Sequence, residues 1–208
     1  MYPIRIKICG ITRPEDALIA AQVGADAIGL VFFSGSKRCV TPEQAQKIVQ
    51  ILPPFVSVVA LFVNASATEI HHIINTVPID VLQFHGDEDA AFCRQFHRPY
   101  LKAVRVRKPA DIQAAFAQFP DARAILFDAY VADAYGGTGH TFDWSWLPEN
   151  ANKHWILSGG LNTTNITTAL QISKAQAVDV SSGVESAAGI KDSDKIHTFI
   201  TACRQYAN

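Results

Sequence analysis

Two residue types at the ends of apolar runs set the chemistry this chain can do: a cysteine closing its first run, Cys9, and an aspartate closing its sixth, Asp128. A thiolate takes protons and a protonated carboxyl gives them, so the pair is equipped for general acid-base work. A lone cysteine after such a run is commonly an inert small hydrophobe. The alternation of Arg5, Lys7 and Cys9 changes that, because residues two apart share a strand face and Lys7 then lies roughly 6 to 7 Å from the sulfur. A buried cation at that spacing is expected to favour the thiolate. Asp128 faces inward with Leu126 while Ile125 and Phe127 pack outward, and a helix N-cap is its ordinary alternative job. A glycine-rich segment (129–142) follows it instead of a helical pattern, and partial desolvation there is expected to keep a proton on it.

Anion sites come next. Gly159 and Gly160 follow the seventh apolar run, Ser182 and Gly183 follow the eighth, and Gly136 and Gly137 begin a third glycine cluster. Any one of these is an ordinary turn. Together they suit a phosphate, since glycine lets backbone N–H groups approach an anion and an adjoining helix N-terminus adds partial positive charge. Arg38 offers a guanidinium fork that matches a carboxylate, with a solvated surface charge as the plain alternative. Gln83 and His85 share the inward face of the fourth run, where His85 serves either a ligand or a structural hydrogen bond. Asp179 lies inside the eighth run and needs a cationic partner, for which Lys7 is the first candidate.

Positioning these groups requires a scaffold, and the apolar runs supply one. They span 4–9, 26–33, 55–63, 79–84, 100–106, 123–128, 154–158 and 177–182, and each is rich in residues suited to buried strands. Helical patterns intervene, several opened by proline (Pro14, Pro42, Pro109), which suits a first helical turn. Eight strand-helix units of roughly 25 residues in a chain of 208 predict a single-domain (β/α)8 barrel over 1–208, with a doubly wound open sheet as the alternative. In such a barrel the residues above fall at the C-terminal ends of strands, where barrel enzymes keep their chemistry.

Composition excludes several classes. Half the chain is hydrophobic (49%) and 18% is charged, so it can bury a large core. A formal net charge of -1 with no basic run argues against nucleic acid and anionic membranes as partners. The longest apolar stretch, Phe55 to Val63, is less than half a membrane span, and Arg5 with Lys7 interrupts any signal-peptide core. The widely spaced Cys9, Cys39, Cys93 and Cys203 with seven scattered histidines give no zinc pattern. A soluble, reduced, cytoplasmic protein is expected, as a monomer or a homodimer.

The ordered motifs KICGIT (7–12), GLVF (29–32) with SKRCV (36–40), LQFHGDE (82–88), LFDA (126–129), GGTGHTFDW (136–144), LSGGL (157–161) and DVSSGVE (179–185) closely resemble phosphoribosylanthranilate isomerase of tryptophan biosynthesis, across almost the whole chain. Lys37 stands where proline is common in that family, and Phe84 where leucine is frequent. The resemblance implies a cofactor-independent, metal-free Amadori rearrangement of N-(5-phosphoribosyl)anthranilate to 1-(2-carboxyphenylamino)-1-deoxyribulose 5-phosphate. It implies Cys9 as general base, Asp128 as general acid, Arg38 on the anthranilate carboxylate, and the glycine loops after the seventh and eighth strands on the phosphate. Another phosphosugar isomerase or epimerase barrel, or a non-catalytic phosphosugar-binding module, is the competing expectation.

Overall fold

A computed structural model of the chain describes residues 3–129, 141–148, 151 and 153–206. The eight apolar runs become strands β1 (Arg5–Cys9), β2 (Ala27–Val31), β3 (Ser57–Phe62), β4 (Val81–Phe84), β5 (Tyr100–Val106), β6 (Ala124–Ala129), β7 (Trp155–Leu157) and β8 (Ala177–Val180). Each pairs in parallel with its sequence neighbour, and β8 returns to β1 to close a barrel in the order β1 to β8. Closure removes both sheet edges and rules out the open doubly wound sheet.

Helices α1 (Pro14–Val23), α2 (Pro42–Gln50) and α5 (Pro109–Gln118) begin at the three prolines, whose fixed φ and missing N–H are harmless in a first turn. With α3 (Ala67–Thr76), α4 (Ala90–Arg94), α6 (Ile166–Ser173) and α7 (Ser193–Tyr206) they cover the outside of the barrel. Strict alternation fails after β6. The described residues there contain only a 3-10 turn, Trp144–Trp146, before β7. A second departure follows β8, where a short antiparallel hairpin of β9 (Glu185–Ala187) and β10 (Ile190–Lys191) precedes α7.

Burial sorts the side chains into two regions. Outward residues such as Ile6, Ile8, Phe84, Ile125 and Phe127 pack beneath the helices, with Phe127 edge-on to Phe116 of α5 at 5.6 Å. Inside the barrel, Val59, Leu101 and Ala124 form an apolar plug toward the N-terminal end, while Cys9, Val31, Leu61 and Val63 form another group toward the opposite end. The polar inward residues Lys7, Gln83 and Asp179 are also buried.

Candidate active site

Cys9 is the last residue of β1 and Asp128 the penultimate residue of β6, so parallel strands deliver both to the same rim. Both are buried. Gly29 on β2 stands opposite Cys9 in register, and a Cβ there would come within 2.7 Å of the sulfur and 3.2 Å of the Lys7 Cε. Thiol and ammonium therefore share a space that only glycine leaves open.

Lys7 and Asp179 meet as anticipated: Nζ donates to Oδ1 at 2.7 Å, with both side chains 6% exposed. Ser158 at the end of β7 adds a hydroxyl contact to the other Asp179 oxygen at 3.4 Å. Burial alone would push the Lys7 ammonium down, but the Asp179 carboxylate and Cys9 beside it hold its pKa above the ordinary value. Removing one member of such a pair leaves an unpaired buried charge. Lys7→Met should therefore cost about 3–5 kcal/mol in urea unfolding. A Lys7→Met/Asp179→Leu double variant should recover most of that; equal losses in the single and double variants would show the pair is not coupled.

Lys7 does not convert Cys9 into a resting thiolate. Burial is the largest influence and pushes the thiol up; Lys7 and the more distant Lys191 pull it down, Asp179 opposes them, and the net pKa is above the ordinary 9.0. The expected thiolate is thus corrected to a thiol in the free protein, because desolvation outweighs a cation already shared with Asp179. Thiolate absorbance, taken as the difference between the wild type and Cys9→Ala, should be absent at pH 7 and appear only above pH 9.0. A step near neutrality would refute this balance.

The sixth strand end is organised by hydrogen bonds. Asp128 Oδ1 accepts from the Ala129 N–H at 2.8 Å, and Oδ2 lies 3.1 Å from His85 Nε2. His85 Nδ1 in turn lies 3.1 Å from the Gln83 side-chain amide. The Gln83 Oε1 is buried without a partner. Turning the amide over would let that oxygen accept from Nδ1–H, giving it the partner it lacks. Gln83, His85 and Asp128 therefore form one hydrogen-bonded line.

Behind this line, Glu88 accepts from the backbone N–H groups of Asn64 (2.7 Å) and Gly86 (2.9 Å) and from Lys102 Nζ (3.0 Å). Lys102 also donates to the Gly86 carbonyl at 2.6 Å. The pair ties the loop carrying His85 to β3 and β5, a support that sequence spacing did not reveal.

The anion candidates divide. After β7, Gly159 and Gly160 adopt φ of +88° and +62°, and a Cβ on Gly159 would approach the Ala129 nitrogen to 2.5 Å and Asp128 Oδ1 to 2.9 Å. After β8, Gly183 packs against the Leu161 carbonyl and bridges to Asn162, bringing the two loops together. Among the described residues, no backbone oxygen takes the N–H of Gly160 or Ser182. Helix α6 begins at Ile166 behind the loop after β7, whereas after β8 the β9–β10 hairpin comes before α7, so no helix starts directly behind Ser182 and Gly183. Gly136 and Gly137 lie outside the described residues.

Arg38, in the segment after β2, is not a loose surface charge. Its Nε and Nη2 each donate to Glu185 at 2.7 Å. Sequence reasoning gave Glu185 no role; the only signal was its place in DVSSGVE. Among the described residues no group of three His, Cys, Asp or Glu side chains is arranged to hold a metal, and no helix is long and apolar enough to cross a membrane. A cavity of about 820 Å³ opens at the opposite end of the barrel, lined by Arg5, Ser57 and Arg123 among others, away from Cys9 and Asp128.

A closed barrel that gathers a buried thiol, a buried carboxyl and glycine loops at the C-terminal ends of its strands has the layout of a (β/α)8 enzyme, a class that keeps its chemistry on that rim. The family model of N-(5'-phosphoribosyl)anthranilate isomerase matches residues 6–202. N-(5'-phosphoribosyl)anthranilate isomerase of Neisseria meningitidis is 58% identical over 205 residues, 99% of each chain. The crystal structure of the Thermotoga maritima phosphoribosyl anthranilate isomerase superposes with a TM-score of 0.88 at 40% identity, covering 97% of this chain and 99% of that one. A further solved isomerase, in complex with reduced 1-(o-carboxyphenylamino)-1-deoxyribulose 5-phosphate, gives a TM-score of 0.82 at 38% identity over the same shares. The chain belongs to the phosphoribosylanthranilate isomerase family, enzymes of tryptophan biosynthesis.

Proposed function

We propose that Cys9 and Asp128 carry the Amadori rearrangement of N-(5-phosphoribosyl)anthranilate as general base and general acid. The observation that supports this division most is their placement: a buried sulfur and a buried carboxyl at the ends of β1 and β6, on one rim, each with its own hydrogen-bonded or charged support. Asp128 gives its proton to the ribose ring oxygen as the C1–O bond breaks, leaving an iminium ion. Cys9, as thiolate, takes the proton from C2, and the electron pair moves to form the enolamine. Tautomerisation of the enolamine then gives the ketone.

Binding keeps both anions remote from the reacting carbons, so their anchoring energy sets geometry at C1 and C2. Arg38 is the proposed contact for the anthranilate carboxylate. Gly159, Gly160, Ser182 and Gly183 are proposed for the phosphate, with Gly136 and Gly137 as a third loop. Gln83 and His85 line the ring and orient Asp128; Asp179 fixes Lys7 beside the thiol. The whole chain is proposed to act as one domain without metal or organic cofactor, in the cytoplasm, where its four free thiols stay reduced. Loss of fluorescence from freshly generated phosphoribosylanthranilate is the direct assay. Turnover by the purified chain alone, undiminished by chelator, is the expected result, and a requirement for an added metal or cofactor would overturn it.

A further inference from the structure

Arg38 is held by a second charged pair that the proposed chemistry does not use. Glu185 takes the Nε/Nη2 edge of the guanidinium with two bonds of 2.7 Å. The same carboxylate accepts from Lys191 Nζ at 2.8 Å, and Lys191 also donates to the Ser181 carbonyl at 3.0 Å. Lys191 and Glu185 side chains are 0% and 5% exposed, against 15% for Arg38. Arg38 packs its Cδ over Gly10, one residue beyond Cys9.

The hairpin carrying this pair is itself fixed. The Lys191 N–H donates to Asp16 of α1 at 3.0 Å, and Lys195 of α7 donates to the Glu185 carbonyl at 2.7 Å. Thr12 donates to the Gly189 carbonyl at the tip, at 2.5 Å. Glu185 is thus held by the hairpin's backbone bonds and by Lys191, independently of its bonds to Arg38.

Charge decides what Lys191 adds. An Arg38–Glu185 pair alone is neutral, and a substrate carboxylate approaching it would meet a carboxylate already in place. With Lys191 the triad sums to one positive charge. Two of the five guanidinium N–H groups are used by Glu185, and Nη1 bonds to none of the described residues, which leaves one edge open among them.

We infer that Glu185 and Lys191 are positioning residues for carboxylate recognition: Glu185 fixes the Arg38 plane by its Nε/Nη2 edge, and Lys191 cancels the Glu185 charge so that the open edge faces the substrate carboxylate with a net positive triad. This rests on the proposed contact between Arg38 and that carboxylate.

The test compares two ligands, reduced 1-(2-carboxyphenylamino)-1-deoxyribulose 5-phosphate and its counterpart lacking the carboxyl group, by titration calorimetry on the full chain. The readout is the ratio of their dissociation constants, which a general loss of structure would not move selectively. Arg38→Gln should collapse the ratio; an unchanged ratio there would end the parent reading. Given that collapse, Lys191→Met should weaken the carboxylated ligand by about tenfold while the other changes by less than about twofold. Glu185→Gln/Lys191→Met restores the net charge, keeps one acceptor for Arg38 and removes both buried charges, so it should regain most of the ratio and guards against a folding defect in the single variant. A wild-type ratio in Lys191→Met, or equal weakening of both ligands in the double variant, would overturn the inference.

Discussion

Cys9→Ala should lose at least about 10³-fold in turnover of phosphoribosylanthranilate, within the range that a positioned proton acceptor contributes. That loss is about 4 kcal/mol of transition-state stabilisation. Binding should survive it. The side chain is small, sits at the very end of β1 and is not among the groups proposed to hold either anion, so the reduced product should bind within a few fold of wild type. Turnover within tenfold of wild type would take the base away from Cys9.

Asp128→Asn should be comparably damaging for the opposite reason. Asparagine is nearly isosteric and can still accept from the Ala129 N–H through its carbonyl oxygen. It has no acidic proton to give to a ring oxygen. Ring opening should fall by about 10³-fold or more, with folding and ligand binding nearly unchanged. Single-turnover fluorescence separates this from a binding defect, since saturating substrate would not rescue it. Recovery at saturating substrate would recast Asp128 as a binding group.

The strand scaffold was legible because parallel barrel strands are buried on both faces and read as apolar runs. The run 100–106 coincides with β5, and the proline-led patterns with α1, α2 and α5. Period-two alternation put Lys7, Cys9, Gln83, His85 and Asp179 inside, and closure then made Lys7 and Asp179 neighbours although they stand 172 positions apart in the chain.

What escaped the sequence has two causes. Glu185 with Arg38 and Glu88 with Lys102 each join a strand residue to one in a loop, where no period fixes which residues meet. The sign of the Cys9 shift escaped for a different reason: spacing showed the cation but not how much desolvation opposes it, nor that Asp179 claims the same ammonium. The Ser182–Gly183 turn signal was legible, but nothing in the sequence showed that a β9–β10 hairpin rather than a helix would follow it.

The division of labour between sulfur and carboxyl is tested most directly by a crystal structure of this chain with reduced 1-(2-carboxyphenylamino)-1-deoxyribulose 5-phosphate bound. The expected map places C2 of the sugar chain against Cys9 Sγ and the oxygen on C4, which was the ring oxygen, within hydrogen-bond reach of Asp128, with the phosphate between the loops after β7 and β8. A ligand whose C2 lies out of reach of Cys9 Sγ, or one seated in the cavity at the opposite end of the barrel, would contradict it.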